Sequence, residues 1–298
     1  MPKLRLILFL LVILINAGCR DQKQQKIPQS DTTAVIPEMK RVDITYNLVS
    51  PKDSIKKVLG KLDSAQKSIV LALNRVDAKN ISRLDTIVLP TNLKEAFIQY
   101  MPYPAEVAYL GKIHKIIFFS YAAQAYGAYE NGKLIYTGPT SMGRQNKQTP
   151  TGLFYANWKA EKTNSTVNDE WELKWNFNIE NDSGIGWHQY ALPGYPASHS
   201  CLRLFEKDAK NLYAWADEWI LKGADSILAN GTPTVVFGSY PFGNSRPWYG
   251  LGSNPKVLDI SAKDLEQLVT PHLAEIMAQQ EKRIKLEKEM EQKKLPFK

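Results

Sequence analysis

Gly186-Trp187-His188-Gln189-Tyr190-Ala191-Leu192-Pro193-Gly194-Tyr195-Pro196-Ala197-Ser198-His199-Ser200-Cys201-Leu202-Arg203-Leu204 is the stretch on which the reading of this chain turns. It carries two of the four histidines and, at Cys201, one of only two cysteines. A free thiol ionises near ~8.5, and the thiolate is its nucleophilic form. A histidine within hydrogen-bond reach can take the thiol proton and later hand it to a leaving amine. A backbone turn at the cysteine can aim N–H groups at a developing oxyanion, and Arg203 offers a planar fork to a carboxylate. Sequence proximity alone does not make a site, because catalytic partners meet in space. An inert buried thiol at Cys201 and a satisfied core histidine at His188 are the competing readings.

The second cysteine narrows the choice. Lys3 and Arg5 precede an apolar run from Leu6 to Ile15, followed by Asn16, Ala17, Gly18 and Cys19. A charged start, a short apolar core and small residues make a secretory signal, and the run is too short for the roughly 20 residues of a membrane span. Ala17-Gly18-Cys19 resembles the lipobox of bacterial lipoproteins, in which the cysteine is acylated and becomes the mature N-terminus; Asn16 departs from the aliphatic residue usual there. Residues 1–19 are therefore expected to be a lipoprotein-type signal peptide with Cys19 as the lipid anchor, the alternative being a plain signal peptide cut nearby. With Cys19 acylated, Cys201 is the lone thiol of a protein sent to an oxidising compartment, where an unpaired cysteine has a task or is deeply buried.

Outward from these landmarks the texture changes several times. Residues 20–40 are polar and aperiodic, a flexible tether. Residues 41–104 read as a small β-α-α-β unit: a strand over Val42–Val49, a helix opened by Ser50-Pro51 and closed at Gly60, a helix over Ser64–Asn74, and a strand over Thr86–Leu89. From 105 to 242 short β-like runs dominate, at Lys115–Ser120, Ala125–Tyr129, Leu134–Tyr136, Phe154–Trp158 and Thr234–Gly238, with Asn131-Gly132 as a hairpin turn. One helix is expected over Lys207–Leu221, with Gly223 as its stop. Residues 258–298 form a charged helical tail with starts at Ser261 and at Thr270-Pro271; Leu273, Ile276, Met277 and Ile284 share one face. That face is either a solvated amphipathic surface or a contact for a partner or membrane.

Ser198-His199-Ser200-Cys201-Leu202-Arg203 resembles the Ser-His-Gly-Cys-Ile/Val-Arg signature of YkuD-type L,D-transpeptidases. His188 and Pro193-Gly194-Tyr195-Pro196-Ala197 are similar to the short-spacer members of that family. Upstream, Ser141-Met142-Gly143 and Thr149-Pro150-Thr151-Gly152-Leu153-Phe154 resemble its Gly-Xaa-Thr-Pro-Xaa-Gly-Xaa-Phe strand and turn. The resemblance implies a mainly β, two-sheet catalytic domain over 105–242 and an enzyme acting on the peptide stems of peptidoglycan. Cys201 is then the nucleophile and His188 its base, oriented by a backbone carbonyl. Ser198, His199, Ser200 and Arg203 shape the oxyanion and substrate site. Ser200 departs from the family's glycine, so it either keeps an ordinary backbone or carries strain of order 1–3 kcal/mol. The 41–104 unit resembles a LysM glycan-binding module through its element order and the stretch Leu73-Asn74-Arg75 to Leu89-Pro90; a plain structural module is the alternative.

The remaining composition mainly excludes. The net charge of +8 is spread along the chain without a nucleic-acid signature, so no nucleic-acid partner is expected. No ligand set has zinc-site spacing, and neither a metal nor a cofactor is called for. The expected partners are peptidoglycan stems and, through the N-terminal lipid, a membrane of the cell envelope. Two other functions stay open: a non-catalytic wall-binding lipoprotein and a secreted cysteine peptidase.

Overall fold

Alternating side chains on one strand set the architecture. In the computed structural model, which describes residues 41–165, 172–223 and 226–294, Lys115–Ser120 is a central strand with both faces covered. Ile117 and Phe119 point into one core and Ile116 and Phe118 into another, as the two-residue period of a strand requires. The signal peptide expected over 1–19, Cys19 and the tether over 20–40 lie outside the described residues.

In chain order the elements are β1 (Tyr46–Val49), α1 (Lys52–Leu59), α2 (Ser64–Leu73), β2 (Ile87–Pro90), β3 (Lys115–Ser120), β4 (Ala125–Glu130), β5 (Lys133–Pro139) and β6 (Gly152–Tyr155). There follow β7 (Lys159–Asn164), β8 (Glu172–Glu180), β9 (Ile185–Gln189), β10 (Leu202–Leu204), α3 (Glu206–Trp215), β11 (Ile220–Lys222), β12 (Ser226–Ala229), β13 (Pro233–Phe237), α4 (Ala262–Val269) and α5 (Leu273–Lys294). One sheet has the order β5-β4-β3-β13-β6 and the other β10-β9-β8-β7. Between them Phe119, Phe177 and Trp187 pack together, with ring centroids 6.2 Å apart for Phe119–Trp187 and 4.8 Å for Phe177–Trp187. Leu202, Leu204 and α3's Leu212 close that core. The opposite face of the first sheet is covered by α4 and α5 through Leu265, Val269 and Ile276. The molecule thus combines mixed β-sheets with an N-terminal βααβ unit and a C-terminal helical segment.

Several expectations are met by identifiable devices. Asn131 and Gly132 both take positive φ (+48° and +78°), the turn that matches strand twist between β4 and β5. A Cβ on Gly132 would meet the Val107 carbonyl at 2.7 Å, so glycine is required twice over. Helix α2 opens with a reciprocal capping box between Asp63 and Gln66. Past its end, Asn74 donates from Nδ2 to the Val70 and Val88 carbonyls (2.8 and 2.9 Å) and accepts from Val88 N at 2.8 Å. One buried amide therefore joins α2 to β2, which pairs antiparallel with β1. The core of this unit is shared: Tyr46, Leu73 and Val88 pack with Trp248, Leu251 and Leu258 from beyond β13.

Three expectations are corrected. The helix predicted over 207–221 ends at Trp215. There the Asp217 amide is taken by Thr232 Oγ1 (2.9 Å) and the Trp219 amide by the Asn157 carbonyl (3.0 Å), so long-range partners replace the next helical turn. Ile220–Lys222 instead pairs with β12, and Gly223, at φ +68°, sits beyond that strand. Thr270-Pro271 does not open a capped helix. Thr270 is already helical, its hydroxyl donates back to Glu266 O, and the chain runs through a 3₁₀ turn into α5. The tail's apolar face is not solvated at its start, since Ile276 is buried and Leu273 and Met277 pack beside it. Gln280 and Arg283 fasten the next turns to the carbonyls of Lys112, Glu218 and Asn230.

Candidate active site

The site is assembled by a register. Strands β9 and β10 run parallel with Trp187 opposite Leu202 and His188 opposite Arg203. Trp187, Leu202 and Leu204 are fully buried in the inter-sheet core. Alternation then sends His188 and Arg203 to the other face, together with Cys201, two residues before Arg203. All three line one narrow cleft of about 20 Å³ with Tyr190, Ser198, His199, Leu173 and Ser165.

His188 is 3% exposed, and its Nδ1 lies 3.0 Å from the carbonyl of Gln189. A carbonyl only accepts, so this contact places the ring proton on Nδ1 and leaves Nε2 with its lone pair, the form a base needs. Burial pushes the imidazole pKa down to about 4; the Gln189 bond opposes the shift and the Arg203 charge adds to it. Burial raises the Cys201 thiol, against the Gly186 backbone bond and the Arg203 charge. Both groups are therefore neutral near pH 7. Of the two ways His188 could activate the thiol, taking the proton during attack fits this environment better than a standing imidazolium–thiolate pair.

The turn around Cys201 is held from behind by backbone-directed hydroxyls. Ser198 Oγ donates to the Cys201 carbonyl at 2.5 Å, and Thr149 Oγ1 donates to the Ser200 carbonyl at 2.8 Å while accepting from Gly143 N at 3.0 Å. Gly143 is packed so closely that a Cβ would lie 2.2 Å from the Lys147 carbonyl. The turn that Thr149 locks contains Ser200 at φ +85°, the left-handed region that disfavours side chains. Serine therefore occupies a glycine conformation with its hydroxyl 3.3 Å from Lys147 O. Ser198 and Ser200 shape the turn through these backbone contacts.

Arg203 is locked through its backbone to Ser141, with both reciprocal N–H···O bonds at 3.1 Å. Its guanidinium stacks over the Tyr190 ring at 4.5 Å and reaches Ala191 O at 3.5 Å. His199 stands at the same cleft; burial lowers its pKa, as do the charges of Arg144, Arg203 and Lys147. His114 lies instead beside α5, where its amide donates to Gln280 Oε1 at 2.7 Å, and His272 sits in the turn before α5. Sequence reading quoted the Thr149 and Ser141 segments without giving those side chains work. It missed Tyr190 as the platform for Arg203, a contact that depends on the β9 and β10 register rather than on any local pattern.

Residues 114–236 match the model of the YkuD family, described as the L,D-transpeptidase catalytic domain. That stretch, less than half of the chain, is similar to YkuD-family domains. Its strands β3 to β13 carry the cleft, and all three polar groups of the register fall within it. Solved structures similar to the chain include an L,D-transpeptidase (Yku) from Stackebrandtia nassauensis, 23% identical over 43% of this chain and 57% of that one, with a TM-score of 0.35. An L,D-transpeptidase from Mycobacterium tuberculosis H37Rv is 20% identical, covering 42% and 58% with a TM-score of 0.34. One from Mycobacterium smegmatis is 18% identical, covering 42% and 59% with a TM-score of 0.34. The chain thus spans less than two thirds of each of these structures. No curated protein matches it.

Proposed function

We propose that this protein is a peptidoglycan L,D-transpeptidase that works through a thioester on Cys201. The observation that carries the reading is the parallel β9–β10 register, which turns a thiol, a lone-pair-bearing imidazole nitrogen and a guanidinium toward one cleft. Sγ of Cys201 attacks the carbonyl carbon of the third stem residue as its proton passes to Nε2 of His188. The C–N bond to the terminal D-amino acid breaks, and the departing nitrogen takes that proton. An amine on a second stem then attacks the thioester, loses a proton to His188 and releases the thiol. Water in place of the amine gives a carboxypeptidase, and a protein lysine gives an anchored protein. The stacking of Arg203 on Tyr190 beside Cys201 supports a role for its guanidinium in meeting a stem carboxylate.

The N-terminal pattern supports export and acylation of Cys19, which puts the enzyme on a membrane of the cell envelope, facing the wall. The β-α-α-β order of residues 41–104 supports a LysM-like glycan contact. The decisive experiment incubates purified muropeptides with wild type and with Cys201→Ala and identifies the products by mass. Cross-linked or trimmed stems from wild type alone are expected, since losing a nucleophile costs orders of magnitude in rate. Equal product from both proteins, or none from wild type, overturns the mechanism.

A further inference from the structure

Between the base and the nucleophile the chain leaves the sheet, and residues 190–201 return to it as irregular backbone. What holds this connection comes largely from outside the YkuD-matched stretch. The turn that ends α2 runs alongside it: Val76 bridges antiparallel to Pro193, Asp77 N donates to Leu192 O at 2.9 Å, and Gly194 N donates to Arg75 O at 3.0 Å. Asp77 Oδ2 then accepts from Leu192 N at 2.8 Å, so Leu192 is bonded through both its amide and its carbonyl. The same carboxylate is held in place by Lys79 N, Asn80 N and the Asn80 amide at 2.9–3.0 Å. Leu192 is fully buried, and Gly194, at φ +87°, would press a Cβ to 3.3 Å from Leu84. On its other side the connection is fixed by Ser141 Oγ, which donates to Tyr195 O at 2.7 Å and accepts from Ala197 N at 3.2 Å.

We propose that Asp77 is a positioning residue for the donor site, through which the βααβ unit sets the shape of the 190–197 connection and hence where a stem can lie. The inference rests on the transpeptidase reading given above. The connection carries what a substrate would touch: Tyr190 under the Arg203 fork, the Ala191 carbonyl that fork reaches, and the exposed Tyr195 ring. His188 belongs to β9 and Cys201 abuts β10, so the chemical pair depends on the ladder instead. Loss of Asp77 therefore acts on substrate placement and spares the thiol's own reactivity. Asparagine at this position keeps one acceptor oxygen and cannot satisfy both Leu192 and the Asn80 side.

The test compares wild type, Asp77→Ala and the milder Asp77→Asn in the full-length protein. Asp77→Ala should raise KM for a tetrapeptide donor on the order of tenfold, with kcat less affected and the pH profile of iodoacetamide alkylation at Cys201 unchanged. Asp77→Asn should fall between. Hydrogen exchange supplies a readout that does not depend on turnover: the Leu192 amide should lose protection in Asp77→Ala while the Trp187 amide keeps it. If wild type makes no product, the transpeptidase reading fails, and the exchange measurement still decides whether Asp77 holds the connection. Unchanged KM in folded variants, or a Leu192 amide protected as in wild type, overturns the proposal.

Discussion

Replacing Ser200 by glycine should stabilise the protein without changing its chemistry, and the size of the effect can be worked from the turn. At φ +85° a side chain costs about 1–3 kcal/mol. Glycine gives back ~0.5–1 kcal/mol because its unfolded chain is freer. It also loses the 3.3 Å bond from Ser200 Oγ to Lys147 O, worth about 0.5 kcal/mol at that length. Taken at the middle of each range, the balance leaves about 0.75 kcal/mol in favour of glycine, or ~1–3 °C in Tm for a domain of this size. Ser200→Ala is the control, because it removes the hydroxyl and keeps the Cβ. Alanine should fall below serine, and glycine should exceed alanine by about 1 kcal/mol if the Cβ is the strained atom. Turnover should be unchanged in Ser200→Gly, since Thr149 and Ser198 hold the neighbouring carbonyls. Urea denaturation and thermal melts of the three proteins decide it. Glycine less stable than alanine would refute the strain argument.

Three further outcomes are expected. His188, held neutral by burial with its pKa near 4, should give stability that is lost as pH falls from about 6.5, its unfolded value, through 4; turnover should have its acidic limb near 4, and a limb near 6.5 that disappears in His188→Ala would contradict this. Thr149→Val strands the Ser200 carbonyl and the Gly143 amide, both partners of one hydroxyl, and should cost about 2–4 kcal/mol by urea unfolding together with most of the activity; a loss below ~0.5 kcal/mol would mean that water takes over both groups. Cys19→Ser should move the protein from the membrane to the soluble fraction on sedimentation, and unchanged partitioning would place the anchor elsewhere.

What could be read from the sequence follows the range of the forces involved. The β3 strand, the Asn131-Gly132 turn and the Ser64 start of α2 are set by local devices, and they stand where local chemistry puts them. Cys201 and His188 stand out as candidates because the motif carries them as residue types, and they line one cleft. The strands β7 and β10 were not legible, since Lys159–Asn164 has almost no apolar signal and Leu202–Leu204 is too short to show a period, whereas the alternation of Leu173, Trp175, Phe177 and Ile179 in β8 is a strand signal that went unread. The end of α3 escaped because apolar spacing continues through Trp219 and Ile220, while the deciding hydrogen bonds come from Thr232 and Asn157. The local bonds of Asp77 to Lys79 and Asn80 give no sign of its long-range bond to Leu192. Leu192 lies 115 positions away in the chain.

The parallel pairing of β9 and β10 separates two jobs that loop-built sites usually combine. Parallel neighbours need a connection of about a dozen residues or more, and here that connection is bare chain, not a helix. Because the ladder sets His188 opposite Arg203 and the Ser198 and Thr149 hydroxyls hold the turn before Leu202, lengthening or rewriting residues 190–197 changes the vestibule and leaves the thiol and imidazole where they were. Selectivity can thus drift by insertion and deletion, the cheapest kind of sequence change, without passing through an inactive intermediate. The limit on that drift lies with Asp77 and Ser141, which hold the two flanks of the vestibule wall. A transplanted connection should work only where it keeps a backbone amide for the first and a carbonyl for the second.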